Sequence, residues 1–338
     1  MEIRLTPCET VSRTKALEFR QAIHIPRAAH GADYSCRQSR ALTNMKLAHP
    51  ISAVFLQVLS IIASTFYFFP EAVAEGTVAL QTIPRPDHVV VVFEENKSYK
   101  QIIRNMAAQY INLLANNGAL FTNSFGVIHP SQPNYLAFFA GSTNGVPDDR
   151  CPISLSGDNL ARQLIRAGLT FAIYSESLPS TGYTGCVSGD YVRKHNPVAN
   201  WEDLPAKVNL PFSSFPADHS KLPTVSFVVP NQANDMHDGE PLQAIIQGDR
   251  WLKANLDSYS QWAKSNNSLL IVTWDEDDDS SNNQIATIFL GPMVKPGRYN
   301  NRIDHYSVLR TIVDMYGLTP MGHSADVKAI VEVWKTAK

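Results

Sequence analysis

Along this chain, unbroken apolar runs alternate with stretches in which apolar residues recur every three or four positions. His88-Val89-Val90-Val91-Val92-Phe93 and Ser268-Leu269-Leu270-Ile271-Val272-Thr273-Trp274 are continuous and rich in β-branched residues, as expected of strands buried on both faces. Ala119 to Asn123, Thr170 to Tyr174, Thr224 to Val229 and Gln284 to Leu290 are further runs of this kind. Between them, Gln101 to Asn116 spaces Ile102, Ile103, Met106, Tyr110, Leu113 and Leu114 at helical intervals, and Asn117-Gly118 supplies a stop. Other helices are predicted after Ser131, near 158–167 ahead of Gly168, over 241–264 and from Asp304 onward. Strands alternating with helices predict an α/β fold, a mostly parallel sheet with helices on both faces.

Two segments break the alternation. Glu176 to Lys221 is rich in Gly, Ser, Pro and Tyr without periodicity, and reads as a long excursion facing substrate rather than a second domain. At the other end, Lys46 is followed by an apolar stretch from Val54 to Phe69 and then Ala72-Val73-Ala74. That order predicts a signal peptide over 45–74 with cleavage after Ala74, hence secreted or periplasmic placement; an uncleaved anchor is the alternative. Residues 1–44 are polar and basic. They read as a non-native extension from a start assigned too early, or as a disordered tail. Residues 75–338 are then a single domain with an acidic excess, which argues against a nucleic-acid partner. Contact with a membrane is expected only through the signal segment or a lipid substrate.

Of the four cysteines, Cys151 and Cys186 lie beyond the export signal. An even pair in an oxidising compartment predicts a disulfide closing a loop of roughly 36 residues, worth about 3 to 4 kcal/mol in the chain-entropy view.

The chemistry-bearing residues gather where strands end. Glu94-Glu95-Asn96-Lys97 follows the first strand, and Asp275-Glu276 follows the run ending at Trp274. Carboxylates and an amide at the carboxyl ends of two strands point to a divalent cation, for which Mg, Ca, Mn and Zn are all open. Asp277 to Asp279 read as a solvated loop. Ser131 sits in His129-Pro130-Ser131-Gln132-Pro133-Asn134-Tyr135 as the expected cap of a helix, where free N–H groups favour a nucleophilic oxygen and a bound phosphoryl group. Taken alone it reads as an ordinary cap. His129 is two residues from it. Asp235 and His237, in a loop after another strand, can face one ion or one phosphate, and His305 at the start of the last helix can donate to a phosphate oxygen. His88, His195, His219 and His323 lack supporting neighbours and read as structural or exposed.

In the order Glu95-Asn96-Lys97-Ser98-Tyr99, Pro130-Ser131-Gln132-Pro133-Asn134-Tyr135, Asn234-Asp235-Met236-His237-Asp238-Gly239, Thr273-Trp274-Asp275-Glu276 and His305-Tyr306-Ser307, the chain resembles the phosphoesterase family of secreted acid phosphatases and bacterial phospholipases C. The resemblance spans nearly all of 88–330 and implies an alkaline-phosphatase-like three-layer sandwich. It implies that Glu95, Asn96, Asp275 and Glu276 hold a divalent cation with the Ser131 oxygen also at the metal, and that Ser131 forms a phosphoserine. Asn96 and His129 would contact phosphate. His237 and His305 would neutralise phosphoryl charge and assist the leaving oxygen, or join Asp235 around a second ion. A small phosphate monoester is the expected substrate, with a phospholipase C type diester and an inactive binding protein as alternatives.

Overall fold

The structure, a computed structural model, describes residues 83–336. The expected signal segment 45–74 and the extension 1–44 lie outside these residues. In chain order the elements are β1 (His88–Glu94), α1 (Tyr99–Ile102), α2 (Gln109–Asn117), β2 (Ala119–Phe125), α3 (Ser131–Ala140), α4 (Leu160–Arg166), β3 (Phe171–Ser175), β4 (Val187–Ser188), β5 (Tyr191–Val192), β6 (Asn209–Pro211), β7 (Val225–Val229), α5 (Pro241–Ala263), β8 (Ser268–Trp274), β9 (Gln284–Leu290), β10 (Gly297–Tyr299), β11 (Ile303–Asp304) and α6 (His305–Met315).

The main sheet runs β10-β2-β9-β8-β1-β7-β3-β6, with β11 also on β2. Among its described strands β9 alone is antiparallel to its neighbours. Strand parity explains the unbroken apolar runs. Val89, Val91 and Phe93 enter one core with Leu136, Phe138 and Leu309 from α3 and α6, while Val90 and Val92 enter the other with Ile111, Leu252 and Tyr259 from α2 and α5. Burying each such side chain contributes about 1.5 to 3 kcal/mol, so the central strands are held from both sides. The result is the expected three-layer α/β sandwich. Among the described residues no helix is long and apolar enough to cross a membrane.

The single helix predicted over Gln101 to Asn116 is two helices. Arg104 stands at φ 69°, which a continuing helix cannot accommodate. The Asn112 side chain closes the break, accepting from the Arg104 N–H at 2.7 Å and donating to the carbonyls of Ile102 and Ala108. Met106 and Leu113, spaced as core residues in the sequence, are consequently exposed. The excursion after Glu176 forms the small hairpin β4–β5 and several 3-10 turns, then rejoins the sheet as edge strand β6. The Cys151–Cys186 disulfide is present, with the Cα atoms 5.8 Å apart.

Candidate active site

Register places the first half of the site. Glu94 lies opposite Trp274 in the parallel pair β1–β8, so Glu95 and Asp275 emerge side by side at the carboxyl edge of the sheet. Both are buried, as is Glu276. Glu94 shares parity with Val90 and Val92 and turns to the other side; it is buried with both carboxylate oxygens unpaired, and burial holds its pKa well above the usual carboxylate value. Only the second carboxylate of that acidic pair therefore faces the site. Asn96 turns the chain at φ 44°, a left-handed pose that asparagine tolerates. Its N–H then donates to Asp275 Oδ1 at 3.2 Å and its Nδ2 to Glu276 Oε1 at 3.0 Å.

Ser131 is the first residue of α3, and Pro130, not Ser131, occupies the cap position. Having no N–H, proline suits a helix entrance, and the Ser131 hydroxyl is left free for the site. Its Oγ lies 3.1 Å from both Glu95 Oε2 and Glu276 Oε1, so one proton serves two acceptors. Tyr135, one turn later, donates to Glu95 Oε1. Asn134 ties down the approach to Ser131, accepting from the N–H groups of Val127 and Ile128 and donating to the Ile128 carbonyl. Gly126 allows that loop to reach the end of β8, since a Cβ there would lie 2.7 Å from the Asp275 carbonyl oxygen. The Gln132 N–H at the helix entrance donates to Asp149 Oδ1 at 2.9 Å.

The loop after β7 adds Asp235, whose Oδ1 accepts from the His237 N–H at 2.8 Å and whose carbonyl accepts from the Glu95 N–H at 2.7 Å. Glu176, at the end of β3, anchors this loop by accepting from the Asn231 N–H, Asn234 Nδ2 and Trp251 Nε1. Lys97 is buried and donates to the carbonyls of Asn96 at 3.1 Å and Met236 at 2.7 Å. Both acceptors belong to residues at positive φ, so one ammonium group clamps two strained turns.

His195, read from the sequence as structural or exposed, belongs to the site. A 3-10 turn over Arg193–His195 carries it inward, where it stacks on Tyr135 with centroids 5.3 Å apart. Its Nε2 lies 3.3 Å from Glu95 Oε2 and its Nδ1 3.4 Å from Asp235 Oδ2. Neither contact has hydrogen-bond geometry, so His195 Nε2 and Asp235 Oδ2 are buried without partners. The available signal was Arg193-Lys194-His195, a cationic triplet inside an otherwise irregular segment. The preceding residue, Lys194, places Nζ 3.0 Å from Asp149 Oδ2 and 3.4 Å from His237 Nε2.

The remaining histidines occupy distinct places. His237 lines the more open side, with Nδ1 2.8 Å from Asp238 Oδ1. His129 lies among three carboxylates, Nδ1 2.8 Å from Glu276 Oε2 and Nε2 3.2 Å from Asp277 Oδ1 and 3.4 Å from Asp279 Oδ1. His305 is buried, with Nε2 2.6 Å from the Asp275 carbonyl oxygen, so in this geometry it steadies the end of β8. Asp277 departs from the expected solvated loop: it is buried and accepts from the N–H groups of Asp279, Ser281 and Asn283. Asp278 and Asp279 are exposed.

Crowding and burial give the site its electrostatics. Burial raises the pKa of Asp275 to about 6 and of Asp235 to about 7, and that of Glu276 to about 9 with help from the Asp275 charge. Glu95 is pushed well above the ordinary value by burial and then by Asp275. His195 is pushed well below its ordinary value, by burial and then by Lys194. For Lys194 burial opposes the charge, but Glu95 and Asp149 outweigh it and its pKa is raised. Asn96 Oδ1, Asp235 Oδ2 and Asp275 Oδ2 are buried acceptors with no donor. Unpaired oxygens among crowded carboxylates fit a divalent cation, which would satisfy them and relieve the repulsion. Glu95, His195 and Asp235 also bring ligand atoms within 4.8 Å of one another, a group able to hold a metal ion.

A model of the Phosphoesterase family matches residues 101–319. The chain is 46% identical over 294 residues to a phosphatidylinositol-3-phosphatase of Mycobacterium tuberculosis, a match covering 85% of this chain and 97% of that protein. It is 31% identical over 254 residues to an acid phosphatase of Aspergillus fumigatus, covering 68% of this chain and 55% of the fungal protein, so it spans about half the length of that relative. A solved structure of an alkaline phosphatase superfamily protein from Vibrio parahaemolyticus shares the fold, with a TM-score of 0.53 at 12% identity over 74% of this chain and 72% of that one.

Proposed function

Because this chain belongs to the Phosphoesterase family and is a hydrolase of phosphate esters, we propose that it is an exported, metal-dependent phosphomonoesterase acting through Ser131. The observation that carries this reading is the placement of the Ser131 hydroxyl, 3.1 Å from two buried carboxylates and beside unpaired buried oxygens. Glu95, Asn96, Asp275 and Glu276 would hold a divalent cation next to that hydroxyl, and Asp235 with His195 would hold a second or complete the first. Oxygen donors suit Mg, Ca or Mn, and the His195 nitrogen extends the choice to Zn. When bound, the cation supplies positive charge that lowers the hydroxyl pKa and offsets charge on phosphoryl oxygens.

In the proposed reaction Ser131 Oγ passes its proton to one of the carboxylates it faces, Glu95 or Glu276, and attacks phosphorus, the bond to the ester oxygen breaks, and the alcohol leaves after taking a proton. His237, on the open side, would supply that proton. Water then cleaves the phosphoserine to release inorganic phosphate and regenerate the hydroxyl. Asn96, held by Asp275 and Glu276, and His129, held between Glu276 and Asp277, would orient phosphate oxygens and the carboxylates. His305 acts from behind through the Asp275 carbonyl. The signal-like segment 45–74 supports export, and the acidic balance supports a small phosphate ester over a nucleic acid. The Mycobacterium relative's name makes a phosphoinositide headgroup one such ester.

The test is hydrolysis of a chromogenic phosphate monoester beside the matching phosphocholine diester, across pH 4 to 9 on the order of single units, with and without chelator, for the natural protein and Ser131→Ala. Monoester turnover that chelation and Ser131→Ala both abolish is the expected result. A dominant diester rate would replace the reading by a phospholipase C type activity, and full activity in Ser131→Ala would remove the serine nucleophile.

A further inference from the structure

The site is rich in carboxylates, and its substrate is an anion. Glu95, Asp235, Asp275 and Glu276 line it, so an approaching phosphate meets repulsion wherever these carboxylates are ionised and not offset by a cation. Two lysines are close enough to help, and their geometry separates them. Lys97 Nζ is engaged by two backbone carbonyls, which leaves it little freedom to meet a ligand. Lys194 is different. Its partners are the Asp149 carboxylate and the exposed-side His237, and its side chain keeps 18% of its surface open. Asp149 ties it to the nucleophile's own turn, because the other oxygen of that carboxylate accepts from the N–H of Gln132, the residue after Ser131. The lysine charge is therefore held beside the entrance of α3 and against the histidine on the open side.

We propose that Lys194, delivered by the excursion, is the side-chain cation that binds the phosphoryl oxygens of the substrate, with Asp149 holding it in readiness. This rests on the phosphatase reading for its substrate. On binding, a phosphate oxygen takes the place of the Asp149 carboxylate oxygen at Nζ, and Asp149 keeps its hold on the Gln132 N–H. No bond is made or broken in this step. The competing role for Lys194 is a structural tie that fastens the excursion to α3, and the two roles differ in what Asp149 should do when neutralised.

The deciding measurement is calorimetric binding of inorganic phosphate to the metal-loaded protein, in parallel for the natural chain, Lys194→Gln, Lys194→Arg and Asp149→Asn, with metal content and melting temperature recorded for each. Loss of one charge-assisted contact predicts a Kd weakened about 10- to 100-fold in Lys194→Gln, with metal content unchanged. Lys194→Arg should stay within a few-fold of natural. Asp149→Asn keeps the ammonium but loses its anionic competitor, so it should bind phosphate as tightly as the natural protein or more so. Natural affinity in Lys194→Gln would overturn the proposal. So would an equal loss in Lys194→Gln and Asp149→Asn, which is the signature of a structural tie and reads out even if Lys194→Gln folds poorly. Failure of the natural protein to hydrolyse a monoester would remove the phosphatase reading, while the phosphate-binding contrast would still decide the role of Lys194.

Discussion

Two groups of residues surround Ser131: Glu95, Asn96, Asp275 and Glu276 follow two adjacent parallel strands, whereas Lys194 and His195 are carried by a 3-10 turn in a segment with little regular structure. The first group is positioned by backbone register inside a core buried on both faces, so its placement follows from the same hydrogen bonds that make the sheet. The second group has no such frame. Its turn is fastened by side chains: the Arg193 guanidinium donates to Asn200 Oδ1 and to the carbonyls of Thr184 and Ile153, and Asn196 Nδ2 donates to Asn209 Oδ1 on β6. The Cys151–Cys186 bond closes the same region covalently. A rigid edge thus supplies carboxylates, and a cross-linked loop supplies nitrogen and positive charge. The proposed binding of both a cation and an anion needs groups of both kinds, and this fold draws them from different sources.

The largest effects should come from the rigid edge. Asp275→Asn removes an oxygen donor without changing shape and should lower kcat/KM by about 10³-fold, several kcal/mol of lost charge stabilisation, with bound divalent metal lost on elemental analysis. Asp278→Asn, in the exposed part of the same acidic run, should stay near the natural rate. Equal losses in the two would erase the distinction between a strand-end ligand and a solvated loop.

His195→Asn tests whether the loop side contributes chemistry or only packing against Tyr135. Metal affinity or turnover should fall about 10- to 100-fold, as for removal of a group supporting a metal centre. Titration calorimetry with the metal alone measures it, and unchanged affinity and kcat would reduce His195 to a packing residue.

Cys151→Ser with Cys186→Ser should lower unfolding free energy by about 3 to 4 kcal/mol in chain-entropy terms, read by denaturant unfolding. Hydrogen exchange should rise across the excursion and stay slow in β1 and β8. Acceleration of all three regions alike would show that the loop and the edge are not separately held.

The smallest effect concerns pH. Asp275, Asp235 and Glu276 have folded pKa values near 6, 7 and 9, above unfolded values near about 4. Between those limits the native state holds more protons than the unfolded chain, so the stabilisation is complete below about 4 and is lost as pH rises from about 4 to 9. His195 and His305, whose pKa values burial lowers, act in the opposite sense and cost stability below about 6.5. Melting of the chelated protein should therefore be higher near pH 5 than near pH 9, with the steady fall above about 6.5 where the histidines no longer oppose it, and saturating divalent metal should raise it most at the alkaline end. A flat profile would mean that the carboxylates of the edge are not crowded as described.

Much of the rigid edge was readable from residue order. Continuous β-branched runs identified β1 and β8 because both of their faces are buried, and residues that end a strand must sit at its edge whatever surrounds them. Ser131 was readable for a similar local reason, since proline and a following apolar stretch announce a helix entrance. The Cys151–Cys186 pair followed from counting. Local pattern also misled, and always where a distant partner intervened. The apparent helix over Gln101 to Asn116 is broken by a left-handed Arg104 that the Asn112 side chain stabilises, a feature invisible to apolar spacing. Asp277 looked solvated because its neighbours are charged, whereas its oxygens collect three backbone N–H groups of its own loop.

His195 and Lys194 mark the limit most clearly. Amino-acid order alone established an α/β sheet, the acidic edge and a hydroxyl at a helix entrance, because these depend on periodicity and adjacency within one or two turns of chain. Which histidine faces Glu95 and which lysine faces the entrance of α3 were settled by folding. Those outcomes depend on packing between segments far apart in the chain, where burial and paired charge, not local propensity, select the partner.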